Sequence, residues 1–163
     1  MSLPKIFVIL IVLFVSLFSC ASKPPFLEKD LTIAVWDLDD LSPSVKVRAN
    51  LGELFSSKII EALRRKGNCK VIERERLLLT LEELRLGTTS LEDETTRLRL
   101  GQIIGARWMI FGGYQIIGDK IRIDLRLVEV ETGKIKKALQ KMITADNLQG
   151  WIDTTQKLAE GLF

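Results

Sequence analysis

Three aspartates, Asp37, Asp39 and Asp40, follow a short apolar run. Carboxylates grouped in this way are hard oxygen donors of the kind a divalent cation takes, and the end of a first strand is where α/β folds often hold their sites. The EF-hand spacing is absent, however, and acids beside a helix start are commonly solvated, so no metal site is assigned. Glu73-Arg74-Glu75-Arg76 has the charges of a catalytic pair, but a charge cluster at a helix start accounts for it more simply. Gly112-Gly113 lies inside an apolar run with no helix following within reach, which is not how a phosphate loop is built. A bulge or a close backbone approach is the better reading. The chain has no histidine. That removes the Ser–His and Cys–His nucleophile pairs, the common zinc sites and the usual general base near neutral pH. We assign no catalytic residue and no cofactor, and read the chain as not an enzyme.

The thiols are more informative. Lys5 precedes an apolar run over residues 6–18, and Leu17-Phe18-Ser19-Cys20 closes it. A core of about 13 residues suits a secretory signal and falls short of the roughly 20 that a spanning helix needs. The tetrapeptide resembles the lipobox of bacterial lipoproteins. An accessible thiol accepts a diacylglyceryl group, and a small residue before it lets the peptidase cut. The expectation is a signal peptide over 1–19, a lipidated Cys20 with a linker over 20–30, and one domain over 31–163. Ala21 stands where an aspartate would argue for inner-membrane retention, which favours the periplasmic face of the outer membrane. Lys23-Pro24-Pro25 makes the linker extended, and its ten residues reach roughly 35 Å at most. With Cys20 lipidated, Cys69 has no intramolecular partner. A buried inert thiol is the plain reading, and an intermolecular disulfide is the sharper one.

The chain has 163 residues, 47% hydrophobic and 28% charged, which fits a folded domain and not a disordered one. The formal net charge is +3, and Lys5 of the leader supplies one of those positives, so nucleic acid is not expected as a partner.

The elements follow from periodicity. Residues 31–38 read as a buried first strand. Pro43 and Ser44 mark a helix start, with Ser44 as a possible cap. Its apolar stripe runs through Val47, Leu51, Leu54, Phe55, Ile59, Ala62 and Leu63, and Gly67-Asn68 ends it. Residues 69–72 make a second strand, and residues 74–86 a helix with Leu77, Leu78, Leu81 and Leu84 inward and Gly87 as terminator. Ser90 and Asp93 resemble a capping pair for a helix to about Ile104. Strands follow over 108–117, from Lys120 onward and over 135–144, joined by turns at Gly118-Asp119 and residues 131–134. The middle one alternates strictly: Ile121, Ile123, Leu125 and Leu127 point one way, Lys120, Arg122, Asp124 and Arg126 the other. The pattern slips at Leu127-Val128, where we expect a bulge. Leu148, Ile152, Thr155 and Leu158 form the stripe of a last helix starting near Asp146. Trp151 lies off that stripe; the core is one place for it, and an exposed tryptophan there would suit a protein contact. Trp151 and the polar sheet face of Arg122, Asp124 and Arg126 are the candidate interaction residues, although a merely solvated face is the plainer reading of the latter three. The order implies a mixed sheet of about five strands, crossovers first and hairpins later, with helices mainly on one face.

Several segments together resemble the CsgG-type family, which includes the curli secretion lipoprotein, an activator of a peptidoglycan synthase and a flagellar outer-membrane lipoprotein. They are Ile33-Ala34-Val35-Trp36-Asp37; Val71-Ile72-Glu73-Arg74 with Leu77 and Glu83; Leu100-Gly101-Gln102-Ile103-Ile104-Gly105-Ala106 leading to Ile110-Phe111-Gly112-Gly113; and Arg126-Leu127-Val128-Glu129-Val130-Glu131-Thr132-Gly133. The resemblance implies an anticodon-binding-domain-like α/β fold. It also implies a non-catalytic role in envelope assembly or export, with a protein partner or a homo-oligomer. The curli channel builds its pore from two long amphipathic hairpins per subunit, whereas this chain has tight turns at the corresponding places. The first expectation is therefore an assembly or interaction lipoprotein, and the alternative is a pore-forming secretion component.

Overall fold

The computed structural model describes residues 31–43, 50–67, 69–72, 74–84, 93–144 and 147–163. The leader, Cys20 and its linker, Ser44, Val47, Asn68, Glu73, Leu86, Gly87, Ser90 and Asp146 lie outside the described residues. The elements in chain order are β1 (Thr32–Val35), β2 (Asp39–Asp40), α1 (Leu51–Lys66), β3 (Lys70–Val71), α2 (Arg74–Glu83), α3 (Glu94–Ile103), β4 (Trp108–Ile117), β5 (Lys120–Glu129), β6 (Ile135–Thr144) and α4 (Leu148–Gly161). They build a six-stranded mixed sheet in the order β3-β1-β4-β5-β6, with β2 also paired to β4. β1 runs parallel to β3 and β4, while β4, β5 and β6 form an antiparallel meander.

The expected first strand is interrupted. β1 pairs with Trp108, Met109 and Ile110, and β2 resumes against Gly113 and Tyr114. Between them the chain leaves the ladder because α1 draws it away. Leu38 N–H donates to the Gly52 carbonyl at 3.4 Å, and Asp37 Oδ1 accepts from Ser56 Oγ at 2.6 Å. The contact is so close that a Cβ on Gly52 would overlap the Leu38 carbonyl, which is why the first turn of α1 carries a glycine despite its cost in a helix.

Alternation in the strands sends side chains to two cores. The larger one joins Ile33 and Val35, Ile110 and Tyr114, and Ile121, Ile123, Leu125 and Leu127 to Phe55, Ile59 and Leu63 of α1 and Ala159 of α4. The smaller joins Ala34, Trp36, Met109, Phe111, Val128 and Val130 to Leu77 of α2 and Leu100 and Ile104 at the end of α3. The expectation of helices mainly on one face holds for the longer pair, α1 and α4; the shorter α2 and α3 add a partial cover to the other. Leu127-Val128 breaks the apolar-polar pattern because the second face becomes covered there. The ladder is also irregular at that point: Leu127 pairs with Lys137 and Val128 with Ile135, so the extra residue is Lys136 on β6.

The ends of the elements follow local chemistry. Gly67, left-handed at φ 69°, ends α1. Asp93 caps α3 by accepting from Thr95 N–H at 3.1 Å, and Asn147 caps α4 by accepting from Gly150 N–H. No described helix is long and apolar enough to cross a membrane.

Candidate interaction surface

On β5 the residues Ile121, Ile123 and Leu125 are fully buried, while Arg122, Asp124 and Arg126 between them are half-buried on the opposite face. That opposite face is only partly covered. The first turn of α3 reaches it through Glu94, whose Oε2 lies 3.4 Å from Arg126 Nη2. Past this pair the register sets Gln115 and Ile117 of β4, and Gln140 and Met142 of β6, beside the β5 polar residues. Arg122 Nε donates to Asp124 Oδ2 at 2.8 Å along the strand. Ile117 is 47% exposed and Met142 46%, so this half of the sheet presents a charged pair flanked by apolar side chains. Such a mixture can serve a protein contact.

Trp151 does not join this patch. It sits on α4, on the other side of the sheet, half-buried against the larger core. Its indole Nε1 is buried and has no hydrogen-bond partner among the described residues. The four candidate residues therefore make two separate places, and Trp151 is largely a packing residue in the chain as described. Cys20 lies outside the described residues. Cys69 is half-buried; burial pushes its thiol above the ordinary value, with Lys66 pulling weakly the other way.

The three aspartates are drawn in different directions. Asp37 takes the Ser56 hydroxyl, Asp40 accepts from the Ser42 N–H at 2.9 Å, and Asp39 receives both guanidinium arms of Arg97 at 2.9 and 3.1 Å. Among the described residues no group of three His, Cys, Asp or Glu side chains is placed to hold a metal ion. Arg97, which sequence reasoning did not single out, also stacks over the Trp36 ring, 5.3 Å from its centroid. It ties α3 to the loop after β1. Glu75 and Arg76 are exposed at the start of α2. Gly112 proves to be a close approach with an unbroken ladder: a Cβ there would meet the Asp124 carbonyl and the Leu125 side chain.

Comparison with known proteins places this fold among similar solved structures. The fold is similar to the LpoB C-terminal domain from Salmonella enterica, with a TM-score of 0.61 at 15% identity over 74% of this chain and 87% of that one. Lipoprotein GNA1162 from Neisseria meningitidis gives 0.57 at 18% identity over 76% and 91%. A PelC dodecamer from Paraburkholderia phytofirmans gives 0.57 at 13% identity over 85% and 91%. No curated protein sequence matches the chain. The family model of the curli production assembly/transport component CsgG matches residues 14–117.

Proposed function

The chain belongs to the family of the curli production assembly/transport component CsgG, and from that membership we propose that it is a lipid-anchored, non-catalytic assembly component of a cell-envelope machine. The observation that carries the reading is the extent of the match, which begins at residue 14, inside the apolar leader, and so takes in Cys20. Lipid on Cys20 holds the domain at the membrane, and Ala21 after it supports the periplasmic face of the outer membrane. Acyl chains contribute about 0.8 kcal/mol per buried methylene, and more than one chain gives stable anchoring. The partner is a protein, a second copy of this chain included, and the half-covered sheet face around Arg122 and Asp124 is the surface it meets.

The tight turn at Gly118-Asp119 and the short one after Glu129 support an accessory component over a pore-forming one. β4, β5 and β6 end with the sheet, and their ten residues each are occupied in it. A membrane hairpin would need strands of about nine to eleven residues beyond it.

The test is metabolic labelling with a clickable fatty acid, followed by a pull-down from solubilised membranes and mass spectrometry. Wild type labels and stays in the membrane fraction; Cys20→Ser does not label. Arg122→Ala with Asp124→Ala loses the captured partner while keeping the melting temperature. Equal labelling of wild type and Cys20→Ser would sink the anchor. Reproducible single-channel currents from the purified protein, absent from mock preparations, would replace the accessory reading with the pore.

A further inference from the structure

We propose that the end of the sheet from which the chain leads back to Cys20 docks on an anionic phospholipid surface. This rests on the anchored reading above and adds to it an orientation.

The chain enters the described structure at Leu31, and hydrogen bonds fix which residues share that end. Lys70 N–H donates to the Leu31 carbonyl at 2.9 Å and Arg107 N–H to the Thr32 carbonyl at 3.0 Å. Val130 N–H donates to Arg107 at 3.0 Å, and Glu129 N–H to the Lys134 carbonyl at 2.9 Å. Lys70, Arg107 and Lys134 therefore stand in one row across the entry end of the sheet, all exposed. α1 ends beside them, because it leads through Gly67 into β3, and its last turn carries Arg64, Arg65 and Lys66.

Against these six cations the described residues of the same end carry Glu129, Glu131 and Glu160, and Glu28, Lys29 and Asp30 precede Leu31 in the sequence. Glu160 lies 3.8 Å from Arg65 and its carbonyl accepts from Lys66 Nζ at 2.8 Å. The balance stays positive. The carboxylates Asp37, Asp39 and Asp40 follow the C-terminal end of β1, the latter two alongside Gly113 and Tyr114 of β4, and Asp119 follows the C-terminal end of β4; Arg97 neutralises Asp39, and Lys120 stands next to Asp119 in the chain. The end where the linker departs is thus the basic pole, while the other end carries charges of both signs.

Apolar groups sit at the same pole. Ile103, the last residue of α3, is 58% exposed, and Ile135, the first of β6, is 54% exposed. Basic residues with exposed aliphatics are the combination that binds a headgroup layer, by charge attraction and shallow apolar insertion. An acidic protein would satisfy the charges too. The linker decides for lipid: residues 21–30 span at most roughly 35 Å, so the anchor delivers this pole to the bilayer. There a Debye length of about 8 Å lets close charges act.

The test uses the full chain purified in detergent and reconstituted on vesicles of phosphatidylcholine alone, or of phosphatidylcholine and phosphatidylglycerol in equal parts. With Cys69 replaced by alanine, a fluorophore is placed through Thr132→Cys on the β5–β6 turn or through Asp119→Cys on the β4–β5 turn. Nitroxide lipids then quench by proximity. The expected result is quenching at position 132 about threefold stronger on the anionic vesicles, abolished in about 1 M salt where the Debye length is about 3 Å. Lys70→Glu with Lys134→Glu removes the difference, and position 119 stays weakly quenched throughout. Equal quenching at both positions, or no response to phosphatidylglycerol, overturns the docking, as when an acidic protein is the true occupant. Intact mass of the same samples reports the acyl chains on Cys20. Their absence counts against the anchor alone, and an acylated chain without the quenching difference counts against the docking alone.

Discussion

Arg97→Ala removes the Asp39 pair and the Trp36 stack together, and a double-mutant cycle with Asp39→Ala separates them. The guanidinium makes two near-parallel hydrogen bonds to Asp39, at 2.9 and 3.1 Å. Its side chain is 13% exposed against 47% for the carboxylate. An exposed ion pair contributes about 0.2–1 kcal/mol; the bidentate geometry and the shielded guanidinium put this one near the upper end. The stack over Trp36 adds about 0.5–1 kcal/mol. Arg97→Ala should therefore cost about 1.5–2 kcal/mol, and Asp39→Ala about 1 kcal/mol. The double variant should cost no more than Arg97→Ala alone within a few tenths, because the carboxylate has nothing left to hold. The coupling energy is then about 1 kcal/mol, and about 1 M salt should weaken it. Urea melts of the four proteins followed by tryptophan fluorescence measure it. Additive losses with no coupling would show that the pair contributes nothing. If Asp39→Ala abolishes the envelope phenotype with its melt unchanged, the acidic loop has a chemistry that the structural account denies.

Ile123→Ala, at a fully buried site between α1 and the sheet, should cost about 2–5 kcal/mol, whereas Leu54→Ala, half-buried on α1, should cost well under 2; denaturant melts rank them, and equal losses would contradict the burial. Cys69 should react slowly with iodoacetamide at neutral pH, because burial raises its thiol and keeps it protonated; alkylation should accelerate as pH rises through the thiol's value, and on unfolding. A disulfide-linked dimer on a non-reducing gel would favour the intermolecular reading. Gly112→Ala should cost at least about 1–3 kcal/mol, since its Cβ would overlap the Asp124 backbone carbonyl and the Leu125 side chain, with Leu38 in contact; a neutral melt would refute the close approach.

The hairpin half of the sheet was legible because its side-chain period is local. β4 and β6 fall on the residues read for them, and the irregularity at Leu127-Val128 is where the alternation slipped. That the extra residue is Lys136 was not legible, since either strand can carry it. The first strand was over-read to residue 38 because the run Trp36-Asp37-Leu38 is apolar enough to continue. Only the tertiary contacts with Ser56 and Gly52 break it. The same contact explains Ser56, a polar residue at 0% exposure that no apolar stripe would include. Leu54 and Leu148 lay on helical stripes yet are half-buried and 46% exposed, because each stripe is wider than the surface it meets. Arg97 was invisible for another reason: its partner is 58 residues away, and nothing in either neighbourhood names the other.

The separation of the two candidate patches turns one ambiguous expectation into a decision. Trp151 on α4 and the Arg122–Asp124 pair lie on opposite sides of a sheet, so no single flat partner touches both. Trp151→Ala also removes a large side chain packed against the larger core, so its cost in stability accompanies any loss of function. Arg122→Ala with Asp124→Ala removes an ion pair whose side chains are 38% and 26% exposed, worth at most about 1 kcal/mol. Loss of function in that double variant, with the fold intact, is therefore a clean report on the sheet face, whereas the same loss in Trp151→Ala is not. The flanking Ile117 and Met142 extend the test. Met142→Glu places a carboxylate directly across from Arg122 without touching either core. It should leave the melt within about 0.5 kcal/mol of wild type and weaken binding to a partner that uses this face. If partner capture survives both variants and fails only in Trp151→Ala at matched stability, the contact is made from the helical side.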